Sequence, residues 1–146
     1  MPVAGDSRPV REVIHATGHG NVSATHASTF EVTTDDWLTP AGDCILAVDA
    51  DRAPASFDPA FVEACRRPDA DVRVRLDVDG HSTVVNARGT PDLTFESDRS
   101  AVVRTSDYVD DRTVAVGADA AAADLDRDLV AALAAGGELT VTLAVV

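Results

Sequence analysis

Asp71-Val72-Arg73-Val74-Arg75-Leu76-Asp77-Val78 alternates charged and aliphatic side chains without a break. Successive side chains of an extended chain point to opposite faces, so Val72, Val74, Leu76 and Val78 line one dry face of a sheet while Arg73, Arg75 and Asp77 face away. Leu139, Val141, Leu143 and Val145 repeat the pattern near the end of the chain. Upstream of the first strand, Asp58 caps a helix with Pro59 at its first position, and Phe61, Ala64 and Cys65 fall on one face. Upstream of the second, a helix from about Asp126 to Ala135 buries Leu129, Val130 and Leu133, and Gly136-Gly137 stops it. Ala120 to Ala123 has helical propensity without a cap and reads as an extension of that helix.

The resemblance between these two strand ends extends along the chain. Cys44 to Asp51, Phe57 to Ala64 and Asp71 to Val78 are matched by Thr113 to Asp119, Leu125 to Ala132 and Glu138 to Val145, at offsets of 68, 68 and 67 residues. Thr29-Phe30-Glu31 matches Thr94-Phe95-Glu96 at an offset of 65. Colinear matches of this kind predict two copies of one strand-rich unit, about 10–79 and about 80–146, in a single domain. The even positions from Val22 to Thr33 are the more apolar, predicting an extended segment with His26 turned toward the core. Gly89, Pro91 and Asp92 mark a turn, and Val102-Val103-Arg104 reads as a strand ending near Asp110-Asp111. Residues 1–9 read as a flexible tail. Strands dominate and the helices are two and short, so the predicted fold is mainly β, a β-rich α+β protein built as a two-layer β sandwich with a pseudo-two-fold internal repeat.

Composition narrows the setting. The chain of 146 residues is long enough for one core without disulfides or metals. It has twelve arginines and no lysine, twenty aspartates against five glutamates, and a formal net charge of -13. Such like charge repels itself in ordinary salt, whereas molar salt shortens the screening length to about 3 Å. The reading is a halophilic, acidic, cytoplasmic archaeal protein. Charge alone leaves nucleic acid open, but Arg66-Arg67, joined later by Arg73 and Arg75 with no aromatics interleaved, is a poor footprint for it. No apolar run approaches the ~20 residues of a membrane helix. Cys44 and Cys65 lack metal or redox spacing and read as reduced thiols. Oligomeric state is left open.

Three of the four histidines lie between His15 and Cys44, with Gly18-His19-Gly20-Asn21, Ala24-Thr25-His26 and Gly42-Asp43-Cys44. Several chemistries share these residues. His19, His26, Asp43 and Cys44 are competent metal ligands, yet catalytic zinc needs three that converge, and spacing alone shows none. Cys44 with a histidine base and Asp43 holds the parts of a thiol enzyme, but its parity with Leu46 and Val48 predicts a shielded, inert thiol. His19 between two glycines fits acid–base work on a small polar ligand, the glycines letting backbone amides approach it closely.

This run resembles an archaeal family known as domain of unknown function 371, whose members open on Gly-His-x-Asn-Val-x-Ala-Thr-His and start a strand with Gly-Asp-Cys-Ile. Arg104-x-Ser106 and Arg112-Thr113 fit the family's later pattern, while Gly89-Thr90-Pro91 stands where relatives carry Gly-His-Pro. The resemblance spans about Val10 to Val146 and implies the same sandwich-like architecture, with no activity attached. Arg104 adds a bidentate grip for a carboxylate or phosphate. Two functional readings stand. In one, His19, His26 and Asp43 act as catalytic groups and Asn21, Thr25 and Arg104 hold a small polar ligand. In the other, a structural or partner-binding domain uses the same histidines to stabilise turns and strands.

Overall fold

The computed structural model describes residues 10–146, so the tail expected over 1–9 lies outside the described residues. Eight strands and two helices follow one another as β1 (Val10–Thr17), β2 (Thr29–Thr33), β3 (Ile45–Ala47), α1 (Pro59–Cys65), β4 (Asp71–Val78), β5 (His81–Arg88), β6 (Ser100–Arg104), β7 (Thr113–Ala115), α2 (Arg127–Ala134) and β8 (Glu138–Val145). A short 3-10 turn precedes each helix, at Pro54–Ser56 and Ala122–Asp124. The order of three strands, 3-10 turn, helix and strand therefore occurs twice. The strands form two four-stranded sheets, β1-β8-β4-β5 and β3-β2-β6-β7. The first is antiparallel throughout. In the second, β2 and β6 are antiparallel while β3 and β7 join them in parallel.

The alternating strands sit in the middle of the first sheet, where β4 and β8 pair with each other. Val72, Val74, Leu76 and Val78 are buried, as are Leu139, Val141 and Leu143. Val141 and Leu143 share one interior void of about 10 Å³ with Ile14 of β1 and with Phe30, Val103 and Val114 of the other sheet. Sheet edges are tied as well. Thr17 bridges Val48 and Arg88 bridges Val116, joining β1 to the end of β3 and β5 to the end of β7. Both helices start as their sequences dictate: the Asp58 carboxylate accepts the Ala60 amide at 2.8 Å, and Asp126 accepts the Asp128 amide at 2.8 Å. Caps of this kind are each worth about 1 kcal/mol. Buried Glu12 holds the start of α1 against β1, accepting from the Arg52 guanidinium and the Asp58 amide.

Main-chain hydrogen bonds recur at constant steps. Thr17 and Val48 exchange bonds as Arg88 and Val116 do, and Glu31 N to Cys44 O is matched by Val102 N to Arg112 O. Ala123 N donates to His26 O as Ala55 N donates to Ser97 O. Residues up to β2 thus correspond to those 71 positions later, and residues from β3 onward to those 68 later.

Several sequence readings are corrected by these contacts. Thr29 corresponds to Ser100, so the Thr29-Phe30-Glu31 match with Thr94-Phe95-Glu96 at 65 residues is not the one that the backbone follows. The extended segment expected over 22–33 is a strand only at Thr29–Thr33, because Ala24 adopts φ +49°, which breaks an extended chain. Phe95 does the same at φ +52° before β6. The strand around Val102 ends at Arg104 and not near Asp110. Ala120 to Ala123 does not extend α2; the Asp124 carboxylate accepts the Ala121 amide, closing a separate 3-10 turn.

Candidate functional site

Gly18, at the end of β1, packs so closely on α2 that a Cβ there would lie 2.0 Å from the Leu133 carbonyl oxygen. Its glycine serves packing. Gly20 has open space around it. Between them, His19 folds over its own turn, its Nδ1 accepting the Asn21 amide at 3.0 Å and its carbonyl the Val22 amide at 2.9 Å. The Asn21 side chain donates to the Leu38 carbonyl at 2.8 Å, tying this turn to the loop before β3. The Thr25 side is exposed, and the Thr25 and His26 amides both donate to the Asp43 carbonyl, at 3.0 and 3.2 Å.

His26 is half-buried, and its ring is engaged. Nδ1 accepts the amides of Ser28 at 3.1 Å and Thr29 at 3.2 Å, with the Thr29 hydroxyl also at 3.2 Å. Two amide donors on Nδ1 require that atom to be unprotonated, which leaves the ring proton on Nε2. His26 and Asp43 are therefore brought together through the main chain, while His19 keeps to its own turn. Among the described residues no three His, Cys, Asp or Glu side chains gather as a metal cage.

The densest polar contacts lie one strand further on. Phe30 and Val32 of β2 belong to the core, and Thr29, Glu31 and Thr33, on the other face, are buried too. Glu31 gathers partners from three other segments. The Cys44 thiol donates to it at 3.6 Å, and Arg112 Nη1 lies 3.8 Å from the same oxygen. Arg112 Nη2 donates to Asp110 at 3.0 Å. Asp110 in turn accepts from Arg104 Nη2 at 3.1 Å, and Arg104 Nε donates to the Thr113 hydroxyl at 2.9 Å. The Tyr108 ring stacks 4.9 Å from the Arg104 guanidinium. Arg104, expected to be free for an anion, is thus already held on three sides.

Electrostatics follow from this crowding. Burial alone would raise the Asp110 carboxyl, but hydrogen bonds from Arg112 and Thr113 win and hold it at about 2. Burial, with the Glu31 charge adding to it, pushes the Cys44 thiol up to about 11. It is a neutral thiol at physiological pH, the opposite of an activated nucleophile. A groove of about 540 Å³, with Asp92, Glu96, Asp107, Tyr108, Asp110 and Asp111 on its walls, opens beside the Arg104 end of the cluster.

A larger groove, of about 710 Å³, runs along α1 between its 3-10 turn and residues 91–95. Phe57, Val62 and Phe95 give it apolar walls, and Glu63, Arg66 and Arg67 its charges. Sequence reasoning passed it over. Its only signal was Arg66-Arg67 set among Pro54, Pro59, Pro68 and Pro91.

Comparison with known proteins adds two findings. The family model described as Domain of unknown function (DUF371) matches residues 14–146. Uncharacterized protein MJ0206 of Methanocaldococcus jannaschii is 38% identical over 127 residues, covering 87% of this chain and 93% of its own.

Proposed function

The chain belongs to the family described as Domain of unknown function (DUF371), and from that membership and the geometry of the Glu31 cluster we propose a small-ligand-binding module that works without an activated thiol. The observation carrying this reading is the convergence on Glu31. Cys44, Arg104, Arg112 and Thr113, the residues of the later motifs, come from four separate segments to one cluster. Arg112 is its adjustable member, half-exposed and 3.8 Å from Glu31, a loose ion pair that a ligand carboxylate or phosphate can replace. His26 and Asp43 shape the neighbouring loop, His19, Asn21 and Thr25 form its rim, and Arg104 supports Arg112 through Asp110. The test is a thermal-shift titration with succinate and inorganic phosphate. Stabilisation that saturates in the native protein and vanishes in Arg112→Ala supports the reading, whereas identical behaviour of the two proteins sinks it.

One observation favours a second reading, a structural or partner-binding domain: each charged group of the cluster already has an internal partner. In that case Arg112→Ala lowers stability and no small anion raises it.

The fold inference goes with the functional one. The recurring hydrogen bonds support two copies of one unit, about 10–79 and 80–146, joined as a single domain in a two-layer sandwich whose edges are tied. β1 of the first unit pairs with β8 of the second, and β5 of the second with β4 of the first. The charge of -13 supports a salt-rich cytoplasm as its setting. No helix among the described residues is long and apolar enough to cross a membrane.

A further inference from the structure

Arg127 opens α2, and its guanidinium lies in a cradle of backbone carbonyls. Nε donates to Leu125 O at 3.0 Å and Nη2 to Ala122 O at 2.8 Å, while Nη1 reaches Ala24 O at 3.2 Å and Ser23 O at 3.4 Å. At the recurring steps of 68 and 71 residues, the same cradle in the other half consists of the carbonyls of Phe57, Pro54, Phe95 and Thr94. Local geometry agrees. Phe57 N donates to Pro54 O as Leu125 N does to Ala122 O, and Phe95 and Ala24 share a left-handed φ, at +52° and +49°.

The position equivalent to Arg127 is Pro59, whose ring cannot reach into this cradle. The 710 Å³ groove is the resulting space, because Pro54, Phe57, Pro59, Thr94 and Phe95 all line it. No described residue donates a hydrogen bond to the carbonyls of Phe57, Thr94 or Phe95. Three oxygens that can hold a guanidinium thus face an open groove. Arg66 and Arg67 follow α1 and line the same groove, and neither pairs with a carboxylate among the described residues. Arg66 instead donates to Pro91 O at 3.3 Å.

We propose that this groove binds a basic amino acid of the arginine type, its guanidinium in the cradle of the Phe57, Thr94 and Phe95 carbonyls and its carboxylate against Arg66 and Arg67. Acceptors at one side select the cation, and free guanidinium groups select the anion. The apolar walls cover the methylene chain between them. Neither charge alone satisfies both sides.

Backbone amide NMR of the full chain, titrated with L-arginine, tests this. Expected are saturable shifts at Val62, Thr94 and Phe95, with agmatine, which lacks the carboxylate, and citrulline, which lacks the cation, at least tenfold weaker. Pro59→Arg restores the side chain that fills the other cradle and should abolish binding. The Arg66→Ala, Arg67→Ala double variant, on exposed positions, should weaken arginine to the level of agmatine without affecting agmatine. Absence of saturable shifts with L-arginine, or arginine binding equal to that of citrulline, overturns the proposal, as does unchanged binding in the double variant. These readouts do not involve Glu31 or Arg112, so the outcome is separate from that of the anion titration.

Discussion

His26 Nδ1 and Ser97 Oγ do the same work in the two halves of the molecule. His26 accepts the amides of Ser28 and Thr29 at 3.1 and 3.2 Å, and Ser97 accepts those of Arg99 and Ser100 at 3.1 and 3.2 Å. Each closes the loop that leads into a central strand of the second sheet. A histidine in this place is a capping residue first, whatever else its Nε2 does.

His26→Ser should therefore fold almost as well as the native chain, whereas His26→Ala leaves two amides without an acceptor and costs about 1–3 kcal/mol. Denaturant midpoints distinguish the two. Equal loss in both variants would mean that the ring is needed for packing and not as an acceptor.

Gly18→Ala places a methyl 2.0 Å from the Leu133 carbonyl, a backbone atom that cannot swing aside. Overpacking of this kind costs about 1–3 kcal/mol. Gly20→Ala, in open space, should be close to neutral. A thermal melt that ranks the two the other way would refute the close approach of β1 to α2.

Asp110 titrates at about 2 in the fold, below its ordinary 3.8. A depressed carboxylate contributes stability above its unfolded value and loses it as the pH falls through the folded one. The window is thus roughly pH 4 down to 2, and the amount is about 2 kcal/mol, an upper figure for a group still partly exposed. Asp110→Asn should flatten the acid limb of a stability profile over that range. An unchanged limb would show that Arg112 does not hold this carboxylate in solution.

Cys44 carries the opposite sign. Its thiol is raised from 9.0 to about 11, so its contribution is whole below pH 9 and is lost as pH rises toward 11. Alkylation at pH 8 should be much slower than in the unfolded chain, since the thiolate is the reacting form. Labelling at the unfolded rate would reopen thiol chemistry at this site.

Salt should raise the thermal midpoint steeply, with melting in dilute buffer well below that in molar KCl. The charge of -13 is spread over exposed aspartates whose repulsion is screened at high ionic strength. Equal midpoints would remove the case for salt adaptation.

Local order was legible in the residues themselves. The period of two over Asp71–Val78 and Glu138–Val145, the Asp58-Pro59 and Asp126 caps and the Gly136 stop each depend on neighbours in the chain, and each is where it was expected. The two outer strands of the first sheet were not legible: β1 pairs with β8 across most of the chain, and β5 has exposed residues on both sides of its hairpin end. β2 hides for the converse reason. All five of its residues are buried, so no alternation marks it.

The candidate site divides in the same way. Glycine, histidine and asparagine in one run predicted a tight turn before β2, and the His19 and Asn21 contacts form one. The sequence by itself determined which segments turn, cap and extend, because those choices are made over three or four residues. Tertiary structure alone decided that Glu31, 13 residues from Cys44, would share its carboxylate with Arg112, and that Arg52 would face Glu12 across 40. It also decided that Arg127 would fill one cradle and Pro59 leave the other open. Such pairings are set by where the sheets bring distant segments, and they leave no periodic trace in the chain.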